Sequence, residues 1–217
     1  MKKNLTNKEF IKILYVICDD IEKYKDYFSE LDRATGDGDH GVTMSIGWTA
    51  VKEKLDTLSD DLTFDKICMQ VASSFLSAVG ASAGPLYATA LMRGGAKLKD
   101  LQSANTSQIA DFFEAAANGI KERGKAELGD KTMLDVWMPS AETIKKTSID
   151  EENIIEILQQ GALKANQAME STKEMLSKKG RSSKLGERSK GHIDPGAASS
   201  AMIINTFFEA VKKLDNI

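Results

Sequence analysis

Asp32, Asp37 and Asp39 fall within eight consecutive residues, in the segment LDRATGDGDHG. Carboxylates this close repel one another unless a cation neutralises them, and Gly36, Gly38 and Gly41 allow the backbone to aim them at one point. An all-oxygen donor set suits Mg2+ or Ca2+. A calcium EF-hand loop is excluded: its twelfth position would be Trp48 counted from Asp37, or Thr43 counted from Asp32, and that position demands Glu. Mg2+ fits better, because it takes a few carboxylates together with water and substrate phosphates. The competing reading is a solvated acidic turn in which Asp39 caps the next helix. The third carboxylate and the glycines favour the metal. His40 opens that helix, where free N–H groups and the helix dipole attract anions. A phosphate contact is therefore expected of His40, beside the alternatives of a cap or a proton shuttle.

Three further segments are unusual. Residues 80–85, GASAGP, combine small side chains with a helix start, which lets a ligand approach the backbone closely; a plain helix–helix turn would look the same. Residues 178–196, KKGRSSKLGERSKGHIDPG, carry six Lys or Arg and four glycines, and are long for a helix connection. Arg181 and Arg188 are candidate phosphate clamps there, against the alternative of a flexible basic surface loop. The fourth segment, GKAELGDKT at 124–132, contains a near miss. Gly119, Gly124 and Lys125 begin a P-loop pattern, but Ala126 stands where Ser or Thr must ligate Mg2+, and no strand precedes it.

The elements that position these segments read as helices. Thr6 and Glu9 form a capping box, with Leu5 able to staple onto Phe10. Phe10, Leu14, Ile17, Ile21, Tyr24, Phe28 and Leu31 then recur at steps of three and four, one apolar stripe of a long helix. Seven more stripes follow: Met44 to Leu58, Phe64 to Phe75, a fourth from Pro85 to about Leu98, Ile109 to Ile120, Met133 to Ile144, Ile154 to Leu176, and a last one after Pro195 ending at Leu214. Pro85 suits a first turn, and Pro139 either sits near a helix start or kinks it. No stretch alternates with period two, so no strand is expected. The expectation is a single all-α domain spanning 1–217. In antiparallel helices alternate connections share an end, and the four unusual segments follow helices one, three, five and seven. They should converge on one rim.

Composition narrows the classes. A net charge of -3 argues against a nucleic-acid partner, which demands a basic face. An acidic protein that binds polyphosphate needs metal ions to offset the charge. Cys18 and Cys68 both sit in apolar helical stretches and read as buried, reduced thiols. No signal peptide and no span of roughly 20 apolar residues is present. The expected setting is cytoplasmic, with no membrane partner.

Taken together, TGDGDHG, GASAGPLY, GDKTMLDVW and GRSSKLGERSKGHIDPGA resemble, in order and spacing, the L subunits of dihydroxyacetone kinases, over nearly the whole chain. The resemblance implies a barrel of eight antiparallel helices with the nucleotide site at one rim. It implies ADP or ATP held through two Mg2+ ions on Asp32, Asp37 and Asp39. Nucleotide contacts would map to His40, Gly41, Val42, Thr43, Ser82, Ala83, Gly124, Met133, Arg181, Asp194, Pro195 and Gly196, with Met133 flanking the adenine and Arg181 also serving catalysis. Three departures stand out: Ser82 lies one place early in its loop, Thr43 stands where the family often has Asn, and Lys184 replaces a usual aromatic residue.

In this family the keto sugar sits on a separate K subunit or domain. With no K domain within these 217 residues, the resemblance leads us to expect half an enzyme. The expected type is the phosphotransferase-system variety, in which bound ADP is rephosphorylated by a phosphohistidine on an M subunit. An ATP-exchanging kinase for a related sugar such as a tetrulose, or a nucleotide-loaded partner of a transcription regulator, are the alternatives.

Overall fold

The structure is a computed structural model and describes residues 1–80 and 82–215. Among the described residues eight α-helices follow the expected stripes: α1 (Asn7–Thr35), α2 (His40–Leu55, ending before Leu58), α3 (Phe64–Ala78), α4 (Ala83–Lys97), α5 (Thr106–Gly124), α6 (Leu134–Thr147), α7 (Ile154–Ser171) and α8 (Pro195–Leu214). Each packs on the next in sequence, and α8 returns to α1, so the helices close a ring. The apolar stripes meet inside it. Phe10 of α1 lies 5.3 Å from the ring of Phe64, 5.9 Å from Phe112 and 6.1 Å from Phe207, joining α3, α5 and α8 at one aromatic node. Such pairs add to the stabilisation from their burial. Among the described residues no helix is long and apolar enough to cross a membrane.

The absence of strands was a wrong expectation, though by little. β1 (Asn4–Thr6) pairs antiparallel with β2 (Ser103–Asn105), Leu5 opposite Ala104. Three residues are too few for a period-two pattern to show. The pairing arises from capping. Thr6 and Asn105 are the N-caps of α1 and α5, each in a capping box with Glu9 or Gln108. An N-cap has extended backbone, and two extended caps lie side by side here. A second correction concerns α7, which stops at Ser171 instead of continuing to Leu176. A 3-10 turn follows at Thr172–Glu174. The buried Thr172 hydroxyl donates to the Met169 carbonyl (2.6 Å) and accepts the Asp194 N–H (3.1 Å), drawing the chain out of the helix. The 180–196 segment is also more ordered than a loop: Arg181–Ser189 form 3-10 turns kinked at Gly186.

The two ends of the ring differ. At the strand end the connections are stitched together. The Asn7 amide, 5% exposed, donates to the carbonyls of Asp60 (2.9 Å) and Leu62 (2.8 Å) in the α2–α3 connection. Thr106 donates to Glu152 (2.7 Å) before α7, and the Ile154 N–H reaches the Lys2 carbonyl (2.8 Å). This end is a floor, and the unusual loops lie at the other end. Replacing Asn7 with Ala strands two carbonyls at the floor. It should lower unfolding free energy by about 1–3 kcal/mol in urea titration, while ligand affinity at the far rim stays unchanged.

Candidate functional site

Two cavities compete as sites. A small apolar cavity between Phe10, Trp48 and Trp137 measures about 40 Å³ and could hold no more than a few waters. The cleft at the open rim measures about 710 Å³, the size of a cofactor site. Its walls come from all four odd connections: Asp32 to Thr43, Gly80 to Tyr87, Arg123 to Leu134, and Lys179 to Gly196. The rim convergence inferred from loop composition is therefore present. Ala81 of the small-residue loop lies outside the described residues.

The acidic corner is built by α1 and the turn that follows it. Asp32, in the last turn of α1, is 9% exposed, and its Oδ2 accepts the N–H groups of Asp39 (2.9 Å) and His40 (3.2 Å). Gly38 provides the left-handed step (φ +77°) that turns the chain back. Gly41 then lets α2 press against α1: a Cβ there would come within 1.9 Å of the Lys25 carbonyl oxygen. The result brings carboxylate oxygens of Asp32, Asp37 and Asp39 within 4.8 Å of one another.

Asp39 stands at the N-cap position of α2, yet its side chain makes no capping bond. It points instead, with Asp37, at the Arg181 guanidinium, which lies 3.0 Å from Asp39 Oδ2 and also contacts Asp37 Oδ1. Asp39 therefore does not cap α2 with its side chain, and in this structure the cation beside Asp37 and Asp39 is Arg181. An oxygen-only cluster with one buried and two exposed members fits Mg2+.

His40 is set back beneath the cleft. Its Nε2 lies 2.9 Å from Ser199 Oγ, which meets the Tyr87 hydroxyl at 3.0 Å; Tyr87 in turn reaches Ser200 at 3.2 Å. Withdrawal from water holds the imidazole below the ordinary histidine value, against the pull of Asp32 and Asp39. At the start of the same α8 that carries Ser199, Asp194 caps the helix by accepting the Ala197 N–H (2.8 Å), and burial pushes its carboxyl up to about 7.

Of the expected residues, Asp32, Asp39, His40, Thr43, Ser82, Ala83, Gly124, Met133, Arg181, Asp194, Pro195 and Gly196 all line the cleft. Asp37 joins through the carboxylate cluster. Gly41 is buried against α1, and Val42 is 46% exposed on the outer face of α2; neither side faces the cleft lining. Ser199, Tyr87, Lys131 and Thr132 were not read from the sequence. Ser199 and Tyr87 sit on helix faces that pattern reading assigns to packing. Lys131 gave no signal beyond its place in GDKT.

Residues 34–209 match the family model described as the DAK2 domain. The chain is 38% identical over 198 residues to the PEP-dependent dihydroxyacetone kinase ADP-binding subunit DhaL of Escherichia coli, covering 90% of this chain and 93% of that one. It is 37% identical over 202 residues to the ADP-binding subunit DhaL of PEP-dependent dihydroxyacetone kinase 2 of Listeria innocua, covering 89% of each. The crystal structure of the dihydroxyacetone kinase from C. freundii in complex with AMP-PNP and Mg2+ superposes with a TM-score of 0.73 at 21% identity, over 96% of this chain. This chain spans 35% of that one, and the likeness shows a shared fold.

The cluster can be tested without any assay of function. Asp39→Ala should change stability by less than about 0.5 kcal/mol in chelator, because no cap is lost; a working N-cap would cost about 0.5–2 kcal/mol. The same variant should weaken Mg2+ binding by more than about tenfold in calorimetric titration, with the helical circular dichroism intact.

Proposed function

The chain belongs to the DAK2 domain family, and on that premise we propose that it is the ADP-binding L subunit of a phosphotransferase-dependent dihydroxyacetone kinase. The observation that carries this reading is the convergence of the carboxylate trio, the helix starts at His40 and Pro195, and Arg181 on one nucleotide-sized cleft.

Asp32, Asp37 and Asp39 would hold the magnesium, as two ions. Bound magnesium supplies neutralisation of phosphate charge and fixes the phosphate oxygens. The chain's own groups do the rest. The first N–H groups of α2 and α8 favour an anion, and Ser199 fixes the His40 ring beside them. Met133, 6% exposed, gives the adenine an adaptable apolar wall. Arg181 and a metal ion compete for the same oxygens of Asp37 and Asp39. Metal binding therefore frees the guanidinium, which lies within the same cleft, to clamp phosphate. Catalysis by this chain is positioning and charge compensation, with no covalent intermediate.

In this reading the nucleotide stays in place as a coenzyme. An M-type phosphohistidine subunit rephosphorylates it, and a K subunit presents the keto sugar. The strap of basic residues at the mouth is the surface that meets those partners. Lys184, exposed and without an ion pair among the described residues, stands on that surface, whereas Lys190 pairs with Glu187 at 2.9 Å.

Arg181 and Lys184 should separate the two tasks. Arg181→Ala should weaken ADP binding in the presence of Mg2+ by about tenfold or more, since charge-assisted contacts are worth about 1.5–3 kcal/mol. Lys184→Ala should leave that affinity within about twofold and alter transfer to or from the partner subunits. Calorimetry beside a coupled transfer assay reads both. Equal losses of ADP affinity in the two variants would refute the division.

A further inference from the structure

Lys131 is 1% exposed, a burial that lysine tolerates only with full compensation. Its ammonium donates to the carbonyl oxygens of His192 (2.6 Å), Thr172 (2.7 Å) and Ser189 (2.7 Å), with the Met175 carbonyl at 3.4 Å. An ammonium has three protons, and three short bonds use them all. Lys131 therefore lies beside the cleft without a proton to offer a phosphate. Its backbone is held in the left-handed region (φ +60°) by its own loop. Asp135 accepts the N–H groups of Gly129 (2.5 Å) and Thr132 (2.7 Å), one on each side of it.

The four carbonyls belong to the two ends of a single segment. Thr172 and Met175 lead into the basic strap, and Ser189 and His192 lead out of it. Direct bonds run beside the lysine between the same two ends: the Gly191 N–H to the Lys173 carbonyl (2.8 Å), the Ser177 N–H to Ser189 Oγ (3.0 Å), and the Asp194 N–H to Thr172 Oγ1 (3.1 Å). The strap itself differs from its roots. Gly180 (φ +65°) and Gly186 (φ +55°) flank the run that starts at Arg181, and a Cβ at either would meet nothing within 4 Å.

We infer that Lys131 is a positioning residue: its buried ammonium ties both roots of the 172–192 segment to the α5–α6 connection, so that Arg181 reaches the cleft from a fixed base. The tie is independent of any ligand. Its consequence for nucleotide handling rests on the function proposed above. One lysine thereby links two of the four stretches that wall the cleft, which explains why it is buried and not presented to the ligand.

Hydrogen exchange followed by mass spectrometry tests the tie in the intact chain, with Mg2+ and ADP and again in chelator. In the wild type the amides of 173–178 and 189–194 should exchange at least about tenfold more slowly than those of 180–188 under both conditions. Equal exchange of roots and tip overturns the proposal, even if Lys131→Met does not fold. In Lys131→Met the roots should exchange at the rate of the tip while α1 to α4 keep wild-type protection. A uniform rise across all helices would show a general packing role and overturn it. The functional arm is a double-mutant cycle on ADP dissociation. Arg181→Ala should accelerate ADP release in the wild type but add less than about twofold in the Lys131→Met background; full additivity overturns the link between the two residues. Wild-type protein that keeps slow roots but binds no ADP would refute the nucleotide reading and leave the tie standing.

Discussion

Three carboxylates within 4.8 Å of one another are the constraint on which the open end of this molecule depends. Two unit charges about 4 Å apart repel by about 1 kcal/mol in water and about 4 kcal/mol near a protein surface. Nothing in the packing of α1 and α2 needs that arrangement; a hydrophilic turn with one N-cap would join them equally well. The chain builds it deliberately. Asp32 is buried and braces the turn with two N–H bonds, Gly38 reverses the chain, and Asp39 gives up the capping bond its position offers. A nearby cation relieves this repulsion. The guanidinium of Arg181 does so in the structure, brought across the cleft from a segment more than a hundred residues away.

The remaining architecture separates rigidity from access. The floor is closed by a pair of capping boxes, a two-strand ladder and the Asn7 and Thr106 bonds, so the ring can be stable without the rim contributing. The rim is left to charged and glycine-rich connections, where binding residues gather on a rigid scaffold. Within the rim, buried polar groups do the fixing: the His40–Ser199–Tyr87 chain on one wall, Asp135 and Lys131 on another. Each is hydrogen-bonded as burial requires. The exposed groups, Asp37, Asp39 and Arg181, are the ones free to exchange partners.

Much of this was legible in the sequence because helices write their packing at steps of three and four. The eight stripes and the rim placement of four loops needed only that period and the alternation of connections. The trio Asp32, Asp37 and Asp39 was legible because like charges in a glycine-rich turn have few structural uses. What stayed hidden depends on partners far along the chain. Lys131 is bonded to main-chain carbonyls, and a carbonyl has no sequence signature. The β1–β2 pair follows from two N-caps lying side by side, which no local pattern records. The end of α7 is set by Thr172 bonding to the Asp194 N–H, a contact across twenty-two positions. Val42 lies in the first turn of α2, and its side chain is exposed because the helix turns by about 100° per residue away from His40.

On the proposed function the carboxylate trio holds the nucleotide only through a divalent cation. Calorimetric titration of ADP into wild-type protein, with saturating Mg2+ and then in excess chelator, separates that role from direct binding. Affinity should fall by more than about a hundredfold, roughly 2.7 kcal/mol, when the metal is removed, because phosphate would then face three uncompensated carboxylates. ADP binding of equal strength in chelator would contradict the account.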